Sequence, residues 1–80
     1  MKIKVLFFGI TTDLVNTSTL DLVLSEASTL VDFKNLLSKE YPQLKNINSY
    51  AIAVNESYAT DDVVLKEADV VAVIPPVSGG

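Results

Sequence analysis

The chain has 80 residues, 49% of them apolar, which suffices for one small core and argues against disorder. It contains no cysteine and no histidine, so disulfides, thiol nucleophiles, imidazole acid–base work and the usual zinc ligands are excluded, and no metal site is expected. Ten acidic residues against six lysines give a net charge of −4, which opposes binding to nucleic acid or to an anionic membrane surface.

The opening stretch, residues 2–10, is rich in β-branched and aromatic side chains, with Ile3, Val5 and Phe7 on one face and Leu6, Phe8 and Ile10 on the other. A strand apolar on both faces is either covered twice or keeps one face for a partner. Residues 11–18 carry Asp13, Asn16, Thr17 and Ser18 and read as a turn. Leu20, Leu22 and Leu24 then alternate with Asp21 and Val23, the pattern of an antiparallel hairpin partner. Ser28 or Thr29 opens a helix, Thr29 and Asp32 having the spacing of a capping box. Leu30, Phe33, Leu37 and Tyr41 form its buried stripe, Leu36 lies beside them, and Asp32, Lys34, Asn35, Lys39 and Glu40 point outward. Pro42 ends it. Leu44 and Ile47 pin a polar connection to the core, residues 50–55 make a third strand, and a short element over 58–65 precedes the final strand at 70–74.

Strand, strand, helix, strand, short element, strand predicts an α+β fold: a mixed sheet of four to five strands crossed on one face by one main helix. Placing the two most apolar strands, first and last, side by side at the centre makes it a β-grasp, or ubiquitin-like, arrangement. The domain is expected over 1–74 and an extended, flexible tail over 75–80. In that tail Pro75 and Pro76 favour an extended backbone, while Gly79 and Gly80 lack a Cβ and can pass through a narrow slot. At roughly 3.3 Å per residue, six residues carry the terminal carboxylate up to about 20 Å from the last strand, far enough to enter another protein's active site. Phe8 and Ile74 lie at the ends of the central strands, out of phase with the buried set. With Tyr58 they form a candidate partner-binding patch. Asp61-Asp62 reads as a solvated turn. No apolar run reaches the roughly 20 residues of a membrane span. The start Met1-Lys2-Ile3-Lys4-Val5 lacks a signal-peptide layout, so a cytoplasmic protein is expected.

Three segments resemble the small subunit of molybdopterin synthase, the MoaD family: Ile3-Lys4-Val5-Leu6-Phe7-Phe8, Ala53-Val54-Asn55, and Asp69 through Ile74 continued by Pro75-Pro76-Val77-Ser78-Gly79-Gly80. One departure is Ala68, where the family often has a glycine before the aspartate. The resemblance implies a sulfur carrier whose Gly80 carboxylate is adenylated by an ATP-using, MoeB-like enzyme and converted to a thiocarboxylate. Pro75, Pro76, Val77, Ser78 and Gly79 thread it into a large, MoaE-like subunit, which catalyses sulfur transfer to cyclic pyranopterin monophosphate. The chain would itself bind no cofactor and would not be an enzyme alone. It would assemble as a heterotetramer of two small and two large subunits. Alternatives of other classes are a ThiS-like carrier for thiazole synthesis, a ubiquitin-like protein modifier, and an interaction domain with an inert tail.

Overall fold

Alternation of lysine with apolar side chains places the first strand, β1 (Lys2–Phe7), with Ile3, Val5 and Phe7 buried and Lys2 and Lys4 exposed. The computed structural model describes residues 1–44 and 46–76. Strand β2 (Thr19–Val23) pairs antiparallel with β1, Ile3 opposite Leu22 and Val5 opposite Leu20. The last strand, β5 (Val70–Ile74), runs parallel to β1 on its other side, Val5 opposite Val71 and Phe7 opposite Val73. Strands β3 (Ala51–Val54) and β4 (Ser57–Tyr58) complete the five-stranded order β2-β1-β5-β3-β4. The central pair is therefore first and last strand, parallel, each flanked by an antiparallel neighbour, which is the β-grasp topology.

One face of this sheet is closed by a helix over Leu30–Glu40. Thr29 caps it. Its hydroxyl accepts from the Asp32 backbone N–H at 3.4 Å, and the Asp32 carboxylate accepts from the Thr29 backbone N–H at 2.9 Å, a reciprocal capping box. Leu30, Phe33 and Leu37 are fully buried against Val5, Val71 and Val73 in a single core cluster. The helix ends where Pro42 follows, with the Tyr41 N–H closing on the Leu37 carbonyl at 2.8 Å. The Tyr41 ring meets Phe7 edge to face, centroids 6.4 Å apart. Leu44 and Ile47, the latter opening a 3₁₀ turn over Ile47–Ser49, are buried as their apolar character predicts.

Three local expectations are corrected. Residues 11–18 hold a helix, α1 (Ile10–Val15), rather than a simple turn; the capped helix at Leu30–Glu40 is thus α2. Thr11 and Val15, four apart, fall on one face and are buried, which gives so short a helix its packing. Its threonines mimic turn chemistry because their hydroxyls donate to backbone: Thr11 to the Phe8 carbonyl and Thr12 to that of Phe7. Ile10 consequently leaves the sheet, since β1 ends at Phe7, and is exposed at the start of α1. Lys34 also does not point outward. Its stem lies buried and its ammonium donates to the Asp61 carboxylate at 2.8 Å, fastening α2 to the segment before β5.

That pair carries an asymmetric expectation. Asp61→Ala leaves a largely buried ammonium without its partner and should cost about 1–2 kcal/mol, discounted because Asp61 is 60% exposed. Lys34→Met keeps the stem and removes the charge, and should be nearly neutral. Urea midpoints of the two variants compare them directly; equal losses would show that the ion pair does not set the cost.

The turns at the far end of the sheet explain two residues of the sequence. Asn55 sits at φ 51° and bridges to the neighbouring turn, its amide donating to Asp69 at 2.9 Å and accepting from the Val70 N–H at 3.0 Å. Ala68, at φ 70°, takes the left-handed conformation that glycine tolerates best, so the turn before Asp69 forms despite the missing glycine. Asn55→Ala should lower stability by about 1–2 kcal/mol, through two lost hydrogen bonds and a strained φ, read as a fall of several degrees in Tm.

Candidate functional site

With α2 on one face, the opposite face of the sheet stays open, and the pairing register decides what lies there. Leu6 is opposite Ala72, Ala72 opposite Ala53, and Ala53 opposite Tyr58, so one row crosses the sheet as Leu6-Ala72-Ala53-Tyr58. The two alanines in the middle are too short to fill the space between their larger neighbours. They form the floor of a hollow of ≈ 340 Å³ walled by Leu6, Phe8, Glu56, Tyr58, Val70 and Ile74. Phe8 is 47% exposed and Tyr58 79%, large for side chains of this type, while Ile74 is half-buried. The three residues expected to form a partner patch are thus gathered on one hollow. Each arrives by a different route: Phe8 by continuing β1, its N–H donating to the Val73 carbonyl at 3.2 Å, Tyr58 through the β3–β4 hairpin, and Ile74 on β5 opposite Ala51. The alanine floor does not stand out in the sequence: Ala72 is the one small residue of β5, but β3 holds Ala51 as well as Ala53.

The chain passes out of β5 at the rim of this hollow. Pro75 follows Ile74 directly and is half-buried; Pro76 is exposed. Pro75 leans on Gly9, where an added Cβ would stand 3.1 Å from the proline Cγ. Gly9 is the one glycine outside the terminal pair, the signal by which the sequence could have marked it. Val77, Ser78 and Gly79, expected to thread, and Gly80, expected to react, lie outside the described residues.

Two other features stand apart from this site. A larger hollow of ≈ 530 Å³ lies between residues 23–28 and α2, but Val23 pairs with Lys2, at the end of the sheet opposite the tail root. Asp61 is held by Lys34, and Asp62 accepts from the Thr60 hydroxyl, which with its own backbone N–H holds its carboxyl below the usual range. Among the described residues no helix is long and apolar enough to cross a membrane.

A five-stranded sheet with its first and last strands parallel at the centre, crossed on one face by α2 and open on the other, defines a ubiquitin-like protein of the β-grasp class. The chain belongs to the ThiS family, whose family model matches residues 5–80. It is 35% identical to the molybdopterin synthase sulfur carrier subunit of Arabidopsis thaliana, over all of this chain and 84% of that one. Among solved structures it resembles a chain of the complex of subunits 1 and 2 of molybdopterin-converting factor from Helicobacter pylori 26695, at 26% identity and TM-score 0.71 over all of both chains. SAMP1 from Haloferax volcanii shares the fold more closely, with TM-score 0.90 over all of both chains, at 19% identity.

Proposed function

We propose that this chain is the sulfur-carrier subunit of a molybdopterin synthase, with 1–74 as the docking domain and 75–80 as the tail it delivers. The observation that carries the proposal is that β5 ends at the rim of the apolar hollow and is followed in the sequence by Pro75-Pro76-Val77-Ser78-Gly79-Gly80, in a chain similar over its whole length to the Arabidopsis thaliana carrier. The Gly80 carboxylate is a poor electrophile because its leaving group would be oxide. An ATP-using, MoeB-like partner converts it to an acyl-adenylate, and sulfur replaces the adenylate to give a thiocarboxylate. The stored sulfur is nucleophilic, and the chain needs no cysteine to hold it. A large, MoaE-like subunit binds the tail, supplies the catalytic side chains and directs the sulfur to cyclic pyranopterin monophosphate. The Helicobacter pylori complex of subunits 1 and 2 supports a large-subunit partner. The assembly would be a cytoplasmic heterotetramer with one small subunit on each of two large ones.

Docking and threading divide the energetics. Ordering the tail costs roughly 1–2 kcal/mol per residue, so binding needs an anchor near its root. Phe8, Tyr58 and Ile74 around the hollow supply one.

Intact-mass analysis after incubation with ATP, the activating enzyme and a sulfide source tests the carrier role. Exchange of one oxygen for sulfur at the C-terminus is expected. An unchanged mass, with the same enzyme active on another carrier, would overturn it, and lysine conjugates of the chain in cells would replace it with a protein-modifier role.

A further inference from the structure

We infer that Glu56 is a specificity-determining residue of the docking hollow: its carboxylate selects a partner that brings a cationic side chain, a lysine or an arginine, beside the apolar segment that fills the hollow. This inference deepens the docking role proposed above and rests on it, and the partner meant is the large subunit.

Glu56 sits in the two-residue loop that joins β3 to β4, between Val54 and Ser57, which pair directly. So short a hairpin loop favours positive φ at both central residues, and glycine is the preferred occupant of the second. Here the pair is Asn55 at φ 51° and Glu56 at φ 71°. Asn55 is compensated by the bonds its side chain makes with Asp69 and Val70. The Glu56 side chain is exposed and, among the described residues, forms no hydrogen bond or ion pair. A glutamate thus stands where glycine would serve the turn better, and nothing within the domain offsets its strain.

The position of the loop gives that glutamate a use. Glu56 lies two residues before Tyr58, so alternation sets both on the open side of the sheet. Of the eight residues that line the hollow it alone is charged. An apolar hollow by itself accepts any apolar segment of suitable size and discriminates weakly between partners. A carboxylate on its wall changes this. A partner seated there strips water from the carboxylate, and only a positive group placed opposite makes good the loss. A partner with an acidic or apolar group at that point is rejected. The net charge of −4 draws positive surfaces towards the domain as a whole, while Glu56 fixes where on the hollow the cation must sit.

The test titrates the large subunit calorimetrically with the parent chain and with Glu56→Gln, Glu56→Lys and Glu56→Gly, and measures the Tm of each chain alongside. Glu56→Gln keeps the shape and the positive φ and removes only the charge. It should weaken binding about 5-fold at about 50 mM salt and less than about 2-fold at about 0.5 M, where the charge is screened. Glu56→Lys should weaken it further, by about 30-fold at the lower salt. Glu56→Gly should lose as much affinity as Glu56→Gln while its Tm rises by about 2–5 °C, because the turn is relieved of strain as the charge is lost. Parent-like binding by Glu56→Gln at low salt, a loss that salt leaves unchanged, tighter binding by Glu56→Lys, or a lower Tm in Glu56→Gly would overturn the assignment while leaving the carrier role standing. A parent chain that does not bind the large subunit overturns the docking role and this inference together.

Discussion

Removal of Gly80, or addition of one residue after it, should abolish sulfur loading altogether while leaving the domain folded. The reacting group in the proposed chemistry is the terminal carboxylate, and no other group on the chain can take its place: the sequence holds no cysteine, and side-chain carboxylates lie on the wrong backbone to be threaded. Deletion leaves Gly79 carrying the carboxylate, drawn back by about 3.3 Å, a whole residue's reach. Extension by an alanine converts the Gly80 carboxylate into an interior amide and moves the free carboxylate one residue further out, onto a residue with a Cβ. Intact mass after incubation with the activating enzyme should show no sulfur in either variant, and the Tm of both should match the parent because the altered residues lie beyond β5. Loading retained by either variant would place the reactive group elsewhere and remove the basis for a terminal thiocarboxylate.

The second large effect is expected at the docking hollow. Phe8→Ala combined with Tyr58→Ala should weaken binding to the large subunit by about 100-fold, measured by calorimetric titration. Both rings are substantially exposed in the free domain, 47% and 79%, so their truncation removes little that holds the fold together. A change in stability within about 1 kcal/mol is therefore expected alongside the loss of binding. Ile74 is a less clean probe, since it is half-buried and occupies the last rung opposite Ala51. Binding unchanged in the double variant would move the interface to another face. A parallel fall in Tm would instead show that the rings serve the domain's own packing.

Much of this architecture was legible in the residues because the strands and α2 obey simple periods. Alternation gave β1 its buried Ile3, Val5 and Phe7, and gave β2 its inward Leu22, with Leu24 buried just beyond the strand. Ser28 or Thr29 was expected to open the helix, and the Thr29–Asp32 capping box settles it on Thr29. The pairing of first and last strands followed from both being strongly apolar, and the register then put Phe8 and Ile74 around one hollow. What escaped was set by tertiary context. Six residues are too few for helical periodicity to stand out in α1, and the threonines that make it look like a turn serve it by bonding the carbonyls of Phe7 and Phe8. Lys34 is outward by composition, yet Asp61, 27 positions away, offers its ammonium a partner at the protein edge. Gly9 was legible only as an exception, a lone glycine after a strand, and the alanine floor emerged only from the register that sets Ala53 opposite Ala72.

The parallel pairing of β1 with β5 bears on what happens when the tail is pulled. A carrier must be drawn out of one partner before it can enter the next, and the force of withdrawal enters the domain at the end of β5. That strand is central, bonded along its length to β1 on one side and β3 on the other. Tension along its axis meets the rungs on both sides together, in shear, so they share the load and do not open one after another from an end. The domain is built to be towed by its C-terminus without unravelling, a property that an edge strand in the same position would not confer.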